Sequence, residues 1–303
     1  MLDRSAEAAF AAVLGAHPLR ASISDNPQYC GRFEEPEPAS SRGQFHLIDE
    51  GVCVVELAPG GPAITLWPGD LVVLPHGSEH RLHSPPDADD DDGPSASRRT
   101  SILCGEFEFA SGGRNPILDA LPACIVVRDA DSHAQFRHLA QLMAHEARQD
   151  GFGRQLVLDK LADALFVMAL RHHIATAGER RGLIAALVDP RLARALEAMH
   201  AEPGRAWTVA LLAERAHQSR TAFAKHFQAV LGIGPYQYLT EWRMAEARRL
   251  LGDPRQSTAA IAERLGYQTE AAFRRAFSKI HGHGPGRTRR AARAARGSAV
   301  PAP

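Results

Sequence analysis

Two thiols and two imidazoles, Cys30, His46, His80 and Cys104, are the residues of this 303-residue chain best suited to hold a metal ion. Together they make a Cys2His2 set, the donor chemistry of tetrahedral zinc. The alternative is two inert buried cysteines and two hydrogen-bonded histidines, and the spacing alone leaves both readings open. Cys53 and Cys124 read as ordinary strand or core cysteines; His76 and His83 are alternative ligands that read as surface groups. Scattered at 30, 53, 104 and 124, the cysteines form neither a secreted disulfide framework nor a CxxC zinc ribbon.

Strands must position these groups. Short apolar runs occupy 44–49, 52–57, 63–66, 71–74, 80–83 and 101–109, punctuated at Pro59-Gly60-Gly61-Pro62 and Pro68-Gly69-Asp70. Many short strands at close spacing predict a small barrel or sandwich, with Cys30 just before it and Cys104 on its last strand. Residues 1–20 read as a short amphipathic helix or a poorly ordered lead, and 27–41 as irregular. The Asp-rich stretch 85–97 reads as a solvated loop. After Pro122 the periodicity turns helical, at 133–148 and 155–177. In the second of these Leu156, Leu161, Leu165, Val167, Met168 and Leu170 leave a mostly apolar helix, which must be buried in a core or against a second copy of itself.

A different chemistry lies in the last hundred residues, where one small unit occurs twice. Leu212-Ala213-Glu214-Arg215 is echoed by Ile261-Ala262-Glu263-Arg264, and Gly232-Ile233-Gly234-Pro235 by Gly282-His283-Gly284-Pro285. Between them, 221–227 is echoed by 271–277. Each copy reads as helix, tight turn, helix and Gly-Pro stop, which is a helix-turn-helix; two in tandem read DNA. Thr208, Ser219 and Ser257 are the expected N-caps. In the first reading helix Phe223, Phe227 and Val230 share the core face, while Arg220, Thr221, Ala224, Lys225 and Gln228 share the other. In the second, Phe273 and Phe277 point inward and Ala271, Arg274 and Arg275 outward. The connector 236–251 is a rod of about 23 Å, able to set two reading helices one DNA turn apart.

Charge follows this division. The net charge is zero, yet from Arg191 onward there are 19 Lys+Arg against 8 Asp+Glu, a local +11 balanced by −11 before it. A basic C-terminal part fits a nucleic-acid module. Arg287, Arg289, Arg290, Arg293 and Arg296 form a basic tail suited to phosphate attraction, or simply solvated. The N-terminus lacks the apolar core of a signal peptide and no apolar run is long enough to span a membrane, so the expectation is a cytoplasmic protein without a membrane partner.

Residues 189–290 resemble the AraC/XylS family of bacterial transcription regulators. The likeness rests on Trp207-Thr208, the Ser-Arg-Thr-Ala-Phe turn at 219–223, Arg-Met-x-x-Ala-Arg-x-Leu-Leu at 243–251, Ile-Ala-x-x-x-Gly-Tyr at 261–267 and Phe-x-x-x-x-Gly-x-x-Pro at 277–285. The resemblance implies base-edge readers at Thr221, Ala224, Lys225, Ala271, Arg274 and Arg275, and backbone contacts at Arg220 and Gln228. The two alanines can offer no more than apolar contact to a thymine methyl. Gly69 through His80 is similar to the second cupin motif, which sets a histidine inside a barrel. The first cupin motif is partial: it keeps His46 but lacks the usual second histidine and glutamate, so an iron-oxygenase ligand set is not expected.

Over nearly its whole length the chain is similar to cupin-bearing AraC regulators, and in detail to those that sense reactive chlorine species. The matching residues are Tyr29-Cys30, His46, 69–82, Cys104-Gly105, Leu121-Pro122 and Pro190-Arg191-Leu192. That resemblance implies that Cys30 and Cys104 are a redox-active pair. A thiolate near histidine or zinc is nucleophilic, hypochlorous acid converts it to a sulfenyl species, and a second thiol traps this as a disulfide. Losing two thiolates would also release a bound zinc.

The expected fold is α+β. It comprises a cupin β-barrel over 1–125, a helical linker and dimerisation region over 126–188, an all-α tandem helix-turn-helix domain over 189–290 and a disordered tail over 291–303. The expected function is a non-enzymatic, homodimeric transcription activator that binds double-stranded DNA, engages RNA polymerase and senses a signal through its cupin. A cupin that binds a small metabolite, or one that is a metal-dependent enzyme, are the competing readings.

Overall fold

The computed structural model describes residues 4–58, 60–85, 99–109, 115–176, 178 and 181–297. The Asp-rich loop expected at 85–97 lies almost wholly outside them. The described residues divide into two compact units. One is formed by 19–109 with 121–178, the other by 1–18, 110–120 and 179–303.

The first unit is a two-sheet β structure. The larger sheet has the order β1 (Leu19–Asp25), β9 (Arg99–Phe109), β4 (Gly43–Glu50), β7 (Leu71–Leu74), β10 (Ile125–Val127), with β2 (Gln28–Cys30) also on β9. The smaller has the order β3 (Glu34–Glu37), β8 (His80–His83), β5 (Cys53–Leu57), β6 (Ala63–Leu66). Alternation assigns the faces. His46 and Ile48 on β4 and Ile102 and Cys104 on β9 are all buried, and Ile48, Ile102 and Cys104 join Cys53, Val55, Leu66, Val72 and Leu82 in one core. The opposite face of β9 carries Phe107 and Phe109, which pack on Phe166 of helix α3 (Arg154–Thr176). Helix α2 (Ala134–Arg148) packs beside α3. Asp70 explains the Pro68-Gly69-Asp70 turn: its carboxylate accepts from the backbone N–H of Trp67 and Asp129 and pairs with Arg128 at 2.8 Å.

Four strands go beyond the expected runs, namely β1, β2, β3 and β10. Two of them, β2 and β3, fall in the stretch 27–41 expected to be irregular. Among the described residues strand β3 pairs only with β8, at the edge of its sheet, which is where Pro36 can sit in a strand without costing a ladder bond.

The second unit is helical. Helix α1 (Arg4–Ala16) buries Ala6, Ala9, Val13 and Ala16, and packs on α5 (Pro190–Ala201). Its counterpart α4 (Gly182–Val188), absent from the sequence-based expectation, is buried at all five positions from Leu183 to Leu187. Asp189 caps α5 by accepting from the N–H of Arg191 and Leu192. The repeat then gives α6 (Val209–Arg215) and α7 (Arg220–Leu231), the connector α8 (Pro235–Leu251), and α9 (Thr258–Arg264) with α10 (Glu270–His281). A last helix α11 runs over Pro285–Gly297, so the tail expected to be disordered from 291 is helical as far as Gly297. Among the described residues no helix is long and apolar enough to cross a membrane.

Candidate nucleic-acid interface and sensor cluster

Both reading helices are anchored by the residues that repeat. Phe223 and Phe227 on α7, and Phe273 and Phe277 on α10, have no exposed surface. Val230, expected beside the first pair, is half-buried. Thr208, Ser219 and Ser257 each accept from the N–H three residues on, as expected of N-caps, and Thr269 does the same for α10. The second turn is one residue longer than the first. At its corner Gly266 has φ +78°, and a Cβ there would collide with the Gly204 carbonyl oxygen, so only glycine fits. Arg243 of the Arg-Met motif on α8 donates to the carbonyls of Pro203 (2.6 Å) and Arg205 (3.0 Å) and lies over Tyr267. It thereby ties the connector to both halves of the repeat, a role the sequence did not reveal.

Opposite the buried phenylalanines, Arg220, Thr221, Lys225 and Gln228 are exposed and Ala224 is half-buried. Ala271, Arg274 and Arg275 are exposed on α10. Gln228 spends its amide on the Gly232 carbonyl at 2.7 Å, and Arg274 is paired with Glu270. The arrangement is two exposed, partly basic helix faces held by one 17-residue rod, about 25 Å long.

The thiol–imidazole cluster is built by register. His46 on β4 and Cys104 on β9 are directly opposite one another, and His80 reaches them from the other sheet. Cys104 Sγ is 3.1 Å from His46 Nδ1, and His46 Nε2 is 2.7 Å from His80 Nε2. His80 Nδ1 is 2.9 Å from the Ser78 carbonyl oxygen. A carbonyl only accepts, so His80 Nδ1 carries hydrogen and donates. In neutral His80 the Nε2 then accepts, His46 Nε2–H donates to it, and His46 Nδ1 accepts from the Cys104 thiol. The backbone oxygen of Ser78 thus orients three side chains in series. Burial, and then His80, lower the His46 pKa to about 3, and burial also lowers that of His80, so both rings are neutral. Burial, then the carboxylates of Glu37 and Asp25, hold Cys104 well above the usual thiol range. Next to it, Gly105 admits the Phe45 ring, which occupies the space a Cβ would need.

Cys30 is not in this cluster. It is exposed and pairs with Arg99, five residues before Cys104 on β9, or about 17 Å of strand. The physical reason is the two-residue period: Tyr29 takes the inward position, stacked on Phe33 at 4.0 Å and packed on the core, which turns Cys30 outward. The expected set of Cys30, His46, His80 and Cys104 therefore does not fit tetrahedral zinc. Two nitrogens on one zinc ion stand about 3.3 Å apart, whereas the histidine pair here is at hydrogen-bond distance, with the thiol on the far side of His46. Among the described residues no group of three His, Cys, Asp or Glu is disposed to hold a metal. Cys53 lies in the same core as Cys104 and is pushed up to about 12 by burial; Cys124 packs against it. His76 and His83 bond to the carbonyls of Leu121 and Ser84.

Comparison with known proteins gives two family matches, Cupin over residues 8–175 and Helix-turn-helix domain over 212–291. A putative AraC-like transcription regulator of Streptomyces lividans is 31% identical over 88% of this chain and 92% of its own length. The RCS-specific HTH-type transcriptional activator RclR of Escherichia coli is 30% identical, over 81% of this chain and 84% of its own. Among solved structures, the DNA-binding domain of AdpA in complex with a target DNA is 32% identical at a TM-score of 0.33, covering 36% of this chain and 97% of that one.

Proposed function

Because this chain belongs to the AraC-type transcription regulators that carry a cupin domain, we propose that it is a transcription activator whose cupin responds to an oxidant of the hypochlorous acid class through Cys30 and Cys104. The observation that carries the reading is the buried thiol of Cys104 held 3.1 Å from His46 Nδ1. Exposed Cys30 meets the oxidant first, and its thiol and hypochlorous acid give a sulfenyl chloride and water. The Cys104 sulfur then attacks that sulfur. A disulfide forms and chloride leaves, while His46 Nδ1 takes the thiol proton and releases it to the water admitted when β2 departs.

Geometry makes this reaction a structural signal. A disulfide needs its Cα atoms within about 7 Å, so β2 must leave β9 before Cys30 can reach Cys104. Departure of β2 takes Tyr29 off the core it covers. The chain acts on DNA as a homodimer, with exposed Phe152 just before α3 and Leu156 and Val157 in its first turn as the apolar contact surface, and with RNA polymerase as its further partner. DNA is read through Thr221, Ala224, Lys225, Ala271, Arg274 and Arg275, with Arg220 and Gln228 on the backbone.

The test is a reporter driven from a site that the purified protein selects out of random DNA, pulsed with hypochlorous acid. Induction by wild type, lost in both Cys30→Ser and Cys104→Ser, is the expected result. Undiminished induction in both variants would move the signal to a metabolite. Zinc content of the same preparation is expected to be well below one ion per chain.

A further inference from the structure

Arg274 is not the independent side chain that its exposure suggests. Glu270, one turn earlier on α10, takes its Nε–H at 2.7 Å and its Nη2–H at 2.5 Å, both on the same carboxylate oxygen Oε1. The pair is accessible, with side-chain exposures of 62% for Arg274 and 36% for Glu270, so as a surface ion pair it adds little to stability. Its consequence is directional. A guanidinium has five N–H groups in a fixed planar fork. With the Nε side occupied, the two parallel donors of the Nη1/Nη2 end remain, and they lie in a plane set by Glu270. That end-on pair is what matches O6 and N7 of guanine in the major groove. The first reading helix has no equivalent, since Arg220 and Ala224 stand at the matching positions.

We propose that Glu270 is a specificity-determining positioning residue, which holds the Arg274 fork end-on so that the second helix-turn-helix unit selects a guanine. The inference rests on the reading of Arg274 as a base reader. Glu270 also suits a first helical turn electrostatically and forms a favourable i,i+4 pair, so a purely structural role would leave base preference untouched.

The experiment is selection of sites from random double-stranded DNA by the full-length protein, sequenced for wild type, Arg274→Ala, Glu270→Ala and Glu270→Gln. Wild type is expected to enrich a guanine at one position of the half-site bound by α10, and Arg274→Ala to lose it. Glu270→Ala should lower the preference for guanine at that same position about tenfold, the order expected of one bidentate contact, while overall affinity holds or rises as a carboxylate leaves the groove. Glu270→Gln, whose amide oxygen can still accept both N–H groups, should keep most of the preference. A Glu270→Ala profile identical to wild type would overturn the proposal, with Arg274→Ala still losing the guanine. If Arg274→Ala leaves the profile unchanged, or if wild type enriches no sequence at all, the base-reading assignment itself fails and the inference with it.

Discussion

Neighbours decide what each key residue can do. The Cys104 thiol is oriented by His46, and His46 through His80 by the Ser78 carbonyl, so an isolated cysteine–histidine contact understates the device. The same holds among the outward arginines. With Arg220 proposed as a phosphate contact, Arg220→Ala should weaken binding evenly across sequences and reduce the slope of log affinity against log salt by about 1. Titration of binding against salt for two unrelated DNA sequences checks this. A changed base preference in that variant, with the slope unaltered, would reassign Arg220 to a base. His46 and His80 are legible as candidate site residues because histidine is seldom fully buried on a strand, and Cys104 by its place on the last strand beside them. Cys30 is not, because a three-residue strand carries too little pattern to show that Tyr29, not Cys30, faces inward.

Elements supply the next set of constraints. His200 on α5 stacks on Trp242 at 3.7 Å and bonds to the Tyr238 hydroxyl at 2.8 Å, both on α8. Burial lowers its pKa from 6.5 to about 3. Between those values the unfolded chain binds a proton that the folded chain does not, so this group's contribution is present above pH 6.5 and is lost as pH falls toward 3. From pH 7 to 5 the loss is about 2 kcal/mol. Denaturant unfolding at both pH values should show a smaller acid loss in His200→Phe, which keeps the stack; an equal loss in both proteins would refute the assignment. For α3, the exposed Leu156 and Val157 of its first turn, with Phe152 just before it, predict that Leu156→Glu turns a dimer into a monomer in sedimentation with helix content unchanged. Sedimentation of the variant as a dimer would send the interface elsewhere. Helix α3 is readable from periodicity, but α4 is not, since seven residues buried at five positions have no polar face to mark a period. Strand β1 escapes for the opposite reason: only Ala21 and Ile23 are buried, too few to announce a strand.

For the whole molecule, the division of charge and the internal repeat already announce two kinds of module in the sequence, and family membership agrees. The repeat is legible because it fixes caps, phenylalanines and Gly-Pro stops at once. Nothing in it could place α1 against α5, because long-range packing of alanines has no local signature. In the proposed function, oxidation of the cupin joins the modules, through a disulfide reached only by strand release. Peptide mapping under non-reducing conditions, after one equivalent of hypochlorous acid per chain, tests it most directly. A Cys30–Cys104 disulfide within one chain is expected, with amide exchange rising at 28–30 as β2 leaves β9. Cys104 recovered as a free thiol while the reporter is fully induced would contradict it.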